Sequence, residues 1–143
     1  MWKEINTDND LQRFLREVSF FHDSCIKEIQ YTSGAYVSEN LSMYPVNDRR
    51  ILRVIVQRQF PDNPMMELEF GGLKFLKLFP VDDRRTCEIL ESTMFFKDGL
   101  IYWCNDEDSP EEDSEGILVC ASKLHWRAID HHMGPAAYYS AAL

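Results

Sequence analysis

The chain has 143 residues, 45% of them hydrophobic and 13% aromatic, with 15 Lys and Arg against 24 Asp and Glu for a net charge of −9. That length fits a single domain over residues 1–143 with one core, and that apolar content excludes global disorder. The negative balance repels a phosphate backbone and makes nucleic acid a poor partner, and no stretch approaches the about 18 uninterrupted apolar residues of a membrane-spanning helix.

The first predicted element is an amphipathic helix over about 8–18, because Leu11, Phe14, Leu15 and Val18 recur at the spacing of one helical face. Thr7 followed by Asp10 approximates a start signal, and Asp8 and Asp10 suit the positive end of the helix dipole. Strand patterns then run between 24 and 129: 24–37, 50–60, 65–70, 73–79, 86–97, 100–104 and 117–128. In the second of these Leu52, Val54 and Val56 alternate with Arg53, Ile55 and Gln57, the pattern of a half-buried strand. Pro61-Asp62-Asn63-Pro64 closes it with a turn, since neither proline donates to a ladder. At Gly71-Gly72 the apolar phase changes from Met66, Leu68 and Phe70 to Leu73 and Phe75, which marks either a hairpin or a bulge in one long strand.

The strongest local signal is Asp98-Gly99 between Met94-Phe95-Phe96-Lys97 and Leu100-Ile101-Tyr102-Trp103. A two-residue hairpin there pairs Phe96 with Ile101, Phe95 with Tyr102 and Met94 with Trp103, and leaves both faces apolar. A central hairpin covered on both sides explains this; a ligand cavity or partner surface is the alternative. Tyr44-Pro45-Val46-Asn47-Asp48-Arg49-Arg50 is echoed 35 residues later by Phe79-Pro80-Val81-Asp82-Asp83-Arg84-Arg85, read as shared loop chemistry. Residues 105–116 carry seven carboxylates and no cation, the composition of an exposed acidic loop. The tail, 130–143, lacks strand periodicity but is apolar enough to dock on the body.

No catalytic motif stands out. Cys25, Cys87, Cys104 and Cys120 form no Cys-x-x-Cys and read as small buried hydrophobes beside strands. With no apolar run of secretory length near Met1, the expectation is a soluble, cytoplasmic protein. His22-Asp23 invites a catalytic or metal reading, yet neighbours in a strand point to opposite faces, so the pair is expected to end the helix and fix the next strand. His125, His131 and His132 lack metal-ligand spacing, and the acidic loop has Glu111 where an EF-hand needs glycine. No metal, cofactor or catalytic residue is therefore assigned. Glu67 and Glu69 share a strand face and read as outward charges. Arg49, Arg50, Arg84 and Arg85 would bind an anion if folding gathers them; otherwise they are solvated and paired with nearby aspartates.

The stretch Ser19-Phe20-Phe21-His22-Asp23-Ser24-Cys25-Ile26-Lys27-Glu28-Ile29 resembles the Phe-His-Asp opening and following strand of several small bacterial β-rich families, some grouped with immunity proteins of polymorphic toxin systems. The resemblance covers about a tenth of the chain and implies stoichiometric binding to a toxin. Independently, an acidic scaffold whose loop carries Asp106, Glu107, Asp108, Glu111, Glu112, Asp113 and Glu115 favours encounter with a basic protein partner. The expectation is an α+β, mainly β domain: the helix packed on a mostly antiparallel, twisted meander sheet, or alternatively a β-sandwich or half-barrel. The leading function is a noncatalytic protein-binding module, immunity-like. The competing one is a small-molecule carrier or enzyme with Phe95, Tyr102, Trp103 and Trp126 lining a cavity. A homodimer through the apolar hairpin is a third arrangement.

Overall fold

The helix begins where its capping chemistry dictates. In the computed structural model, which describes residues 1–46, 49–81, 83, 86–89, 92–104 and 117–140, α1 spans Asp8–Glu17 and Val18 caps its end. The Thr7 hydroxyl accepts from the Asp10 amide at 3.1 Å, and the Asp10 carboxylate accepts from the amides of Asn6 and Thr7. The Asn6 amide foremost, then Thr7 and Arg13, hold the Asp10 carboxyl below its ordinary value. Leu11, Phe14, Leu15 and Val18, the predicted stripe, are all buried. No helix among the described residues is long and apolar enough to cross a membrane.

The chain leaves α1 through a turn at Ser19–Phe21 in which all three residues have positive φ, followed by Asp23 at φ 53°. Left-handed backbone costs a non-glycine residue roughly 1–2 kcal/mol, and here the offsetting gain is visible. The turn drives Phe21 into the interior against Phe14 and Trp103, with ring centroids 5.6 and 5.3 Å away. Its backbone is tied by Phe21 N–H to the Val18 carbonyl, and the Phe20 carbonyl accepts from the Ser92 amide. His22-Asp23 leads into the strand that begins at Ser24, with the Asp23 carbonyl accepting from the Gln59 amide, but it does not end the helix, which stops at Glu17 ahead of the intervening turn.

Ten strands follow from the described backbone: β1 Lys3–Ile5, β2 Ser24–Thr32, β3 Tyr36–Val37, β4 Met43–Tyr44, β5 Ile51–Arg58, β6 Met65–Lys77, β7 Glu88–Ile89, β8 Thr93–Lys97, β9 Leu100–Cys104 and β10 Leu118–Ala128. The main sheet is antiparallel and runs β7-β2-β5-β6-β10-β9-β8, with β1 beside the end of β10. It consists of two meanders, β2-β5-β6 and β8-β9-β10, joined where β10 lies against β6. The outermost strands β7 and β8 are consecutive in the chain, so the step from Ile89 to Thr93 holds opposite edges within about 14 Å. The sheet must therefore curl. It forms a half-barrel, and α1 with the left-handed turn fills its concave side, where Leu52, Val54 and Val56 of β5 meet Met66, Leu68 and Phe70 of β6.

The two-residue hairpin forms in the register read from sequence: Met94 pairs with Trp103, Phe95 with Tyr102 and Phe96 with Ile101, with Asp98 and Gly99 both at positive φ. It lies at a margin of the sheet, however, not at its centre, because β10 takes the free edge of β9. Gly71-Gly72 is not a turn, and the bulge falls just beyond it, at Lys74, which is skipped between the Leu73–Ala121 and Phe75–Cys120 pairs. The chain continues as one strand to Lys77 while the β6–β10 register shifts between Cys120 and Ala121. Gly72 has φ +60°, and a Cβ there would lie 2.8 Å from the Ser122 Oγ. The predicted Pro61–Pro64 turn is held by Arg58, whose amide reaches the Pro64 carbonyl and whose guanidinium donates to the carbonyls of Asp62 and Asn63.

Candidate functional site

Between β2 and β5 the chain leaves the barrel and returns as a separate two-stranded arm, β3 with β4. Tyr36 and Tyr44 are cross-strand partners whose rings stack at 4.7 Å, and Val37 pairs with Met43. Ser38 closes the connection by bonding Asn40 and the Ser42 backbone. The arm is ordered by its own contacts yet buries little: Leu41 is 83% exposed, Met43 66% and Val46 87%. These apolar side chains stand in water on a ribbon that is separate from the main sheet, which makes the arm a candidate interaction surface. Phe75, Leu78 and Val81, after the bulge in β6, are also exposed.

The convex face of the sheet has the opposite character. Here β5, β6 and β10 align Arg53 with Glu69 and His125, and Glu67 with Arg127. One Glu69 oxygen takes the Arg53 guanidinium at 2.9 Å and the other the His125 ring at 2.9 Å. Burial pushes the Glu69 carboxyl up, but Arg53 and His125 outweigh it and hold it below its ordinary value. Glu67 is only 2% exposed; one oxygen accepts from Arg127 and the other from the Tyr139 hydroxyl at 2.6 Å. Trp2 stacks on His125 at 4.2 Å and lies beneath the Arg127 guanidinium. The row resembles a catalytic constellation by composition, but both oxygens of each of these two glutamates are already engaged. Such an array orders the surface of the sheet.

A third feature is a cleft of ≈ 340 Å³ below the left-handed turn, lined by Asp23, Cys25, Arg58, Gln59, Glu88 and Met133 among others. Arg58 is 4% exposed, its Nε has no partner, and burial lowers its pKa. Its guanidinium lies over Phe60 and bonds turn carbonyls, so it braces the β5–β6 connection.

The sequence-predicted residues fall out as follows. Phe95 and Tyr102 stack at 5.2 Å on one face of the hairpin, whereas Trp103 and Trp126 are shut into the core behind the other. These four side chains form two groups on opposite faces and share no lining. Arg50 donates to the Leu73 carbonyl and Arg49 also has a partner; Arg84 and Arg85 lie outside the described residues. So do Asp106, Glu107, Asp108, Glu111, Glu112, Asp113 and Glu115. His125 sits on the convex face, away from His131 and His132 in the tail, and among the described residues no three His, Cys, Asp or Glu side chains converge as a metal site. All four cysteines are free thiols; Cys104 and Cys120 are buried as expected, but Cys87 is exposed because β7 is only two residues long. Glu67 and Glu69 do point away from the core, yet Glu67 is buried under Arg127 and Tyr139, and Glu69 is half-buried between Arg53 and His125. The sequence reading carries Tyr36 and Val37 on as the end of the strand 24–37, whereas β2 stops at Thr32 and these two residues open the arm; Tyr36 to Val46 has no sustained period, and its signal was an apolar cluster that fits neither template. Compared with protein-family models, curated proteins and solved structures, the chain finds no match.

Proposed function

We propose that this protein is a noncatalytic protein-binding module, immunity-like in mode, that grips a basic partner protein. The observation that carries this reading is the β3–β4 arm, which holds Tyr36, Val37, Leu41, Met43, Tyr44 and Val46 in solvent on a ribbon stacked by its own tyrosines. Burying side chains of that size at an interface yields about 1.5–3 kcal/mol each, enough for a few of them to dominate an affinity. The net charge of −9 supplies the long-range attraction, with the acidic run of 106–115 as its densest element. The carrier reading draws less support, since the residues lining the cleft at the turn include no aromatic ring.

The test is native mass spectrometry of complexes captured from the source cell with the wild-type chain and with Leu41→Ser/Met43→Ser. The double substitution should weaken the complex at least tenfold while the melting temperature stays unchanged, because neither side chain contributes to the core. Capture at wild-type strength by the variant would remove the arm from the interface and with it the basis of the reading. Deleting 106–115 should slow association, most visibly at low salt; an unchanged rate would remove the acidic segment's role.

A further inference from the structure

The C-terminal tail is bound to the barrel in the manner of a peptide ligand. After β10 the Ile129 amide bonds the Met65 carbonyl, and residues 130–137 then run exposed. Along that exposed stretch the Gly134 carbonyl is held by Lys27 at 3.0 Å and by Gln57, the His132 carbonyl by Gln57, and the His132 ring meets Tyr138 edge-on. Gly134, at φ +106°, turns the chain back toward the sheet. Tyr138 and Tyr139 then enter a groove across β2, β5, β6 and β10. The two oxygens of Glu28 accept the backbone amides of Tyr138 and Tyr139, at 2.6 and 3.1 Å. Capture of two successive amides by one carboxylate reads a backbone, whatever the side chains. The Tyr139 hydroxyl reaches Glu67 and the Tyr138 hydroxyl accepts from Arg127, while both rings cover buried Ile55 and Met65. That second layer reads two adjacent phenols over an apolar floor.

We propose that this groove is a peptide-docking site, specific for an extended segment with two consecutive tyrosines, and that the protein's own tail occupies it as a releasable strap. Among the described residues, the tail's anchoring contacts beyond Asp130 are of the kind an added peptide makes: backbone amides on a carboxylate, carbonyls on Lys27 and Gln57, hydroxyls on the Arg127–Glu67 pair, rings on aliphatic side chains. The strap is joined to the fold by a solvent-exposed linker and, among its described residues, contributes no strand to the sheet. A partner bearing the same chemistry competes with it, and the tethered tail resists through its effective concentration, of millimolar order for a short linker. The site is separate from the β3–β4 arm and does not rest on the function proposed above.

The probe is a labelled synthetic peptide, Met-Gly-Pro-Ala-Ala-Tyr-Tyr-Ser-Ala-Ala-Leu, titrated into the full-length chain. The variant Tyr138→Ala/Tyr139→Ala, whose own tail lacks both anchors, should bind it saturably and at least tenfold more tightly than wild type does. Adding Glu28→Gln to that variant should weaken binding about tenfold, the worth of a charge-assisted hydrogen bond. Equal affinity for wild type and variant, no binding by a variant that melts as a folded protein, or indifference to Glu28→Gln would each overturn the proposal. Hydrogen exchange on the unmodified chain gives an independent reading that needs no variant. The Tyr138 and Tyr139 amides should exchange through a local opening, well before the β5 and β6 amides; exchange only on global unfolding would make the tail a fixed part of the core.

Discussion

At the scale of single residues, the buried ionisable groups of the convex face set how stability depends on pH. The Tyr139 phenol is pushed well above the ordinary tyrosine value of 10.0, first by burial and then by its bond to Glu67. A raised folded-state pKa contributes stability that is complete below pH 10 and is lost as pH climbs above it. Urea denaturation between pH 8 and 11 should therefore show wild type weakening above about pH 10, while Tyr139→Phe loses that limb and starts about 1.5–3 kcal/mol lower at pH 8. Glu69 works in the other direction. Its carboxyl is held below the ordinary 4.5, so its contribution is present above that value and disappears as pH falls through the folded-state pKa. Glu69→Gln should flatten the acid limb of stability below about pH 4.5, and an unchanged limb would show that Arg53 and His125 do not act on it.

Among the elements, two glycines separate backbone strain from collision. Gly99 in the β8–β9 hairpin has φ +76° with open space around the position a Cβ would take, so Gly99→Ala should cost only the left-handed penalty of about 1–2 kcal/mol. Gly72 has a similar φ but faces the Ser122 side chain, and Gly72→Ala should cost more than Gly99→Ala in the same denaturation experiment. Ser122→Gly in the Gly72→Ala background should recover the difference. Both glycines were visible in sequence, and only the hairpin was legible outright, because a hairpin is decided by residues that touch within six positions. What Gly72 must avoid depends on the facing strand, and Ser122 is fifty residues away. The helix was legible for the same reason as the hairpin: Thr7 and Asp10 satisfy each other's amides, and Leu11, Phe14, Leu15 and Val18 need only one partner face. Acid pairs were misread where burial came from elsewhere. Glu67 has the alternation of an outward charge, and nothing in Met65–Phe70 announces that Tyr139 will cover it.

For the molecule as a whole, closure is the governing feature. The half-barrel exists because β7 and β8, neighbours in the chain, end on opposite edges of one sheet, and because Phe21 plugs the concave side between α1 and Trp103. Phe21→Ala should cost about 3–5 kcal/mol, read as a fall in the urea midpoint. By removing the gain that balances three left-handed residues, it should also release the Ser19–Phe21 turn, seen as loss of protection at the Phe21 and Ser92 amides. The candidate site belongs to this scale. The arm stands out as a candidate surface only once the half-barrel is seen to form without it, whereas the aromatic residues of the hairpin, conspicuous in sequence, were divided between the core and a stacked pair on the far face.

What the sequence by itself determined was everything carried by short-range chemistry: the capped helix, the strand alternation, the hairpin register, the Pro-bounded turn and the antiparallel, mainly β class. Tertiary structure alone decided that β10 enters between β6 and β9, that the sheet curls into a half-barrel, that the tail covers Glu67, and that the Tyr36–Tyr44 ribbon stays in water. The reason is physical. Local terms depend on a few adjacent dihedrals and one periodicity, while strand order and surface exposure depend on which distant segments exclude water from each other, and that competition is settled only when the whole chain has packed.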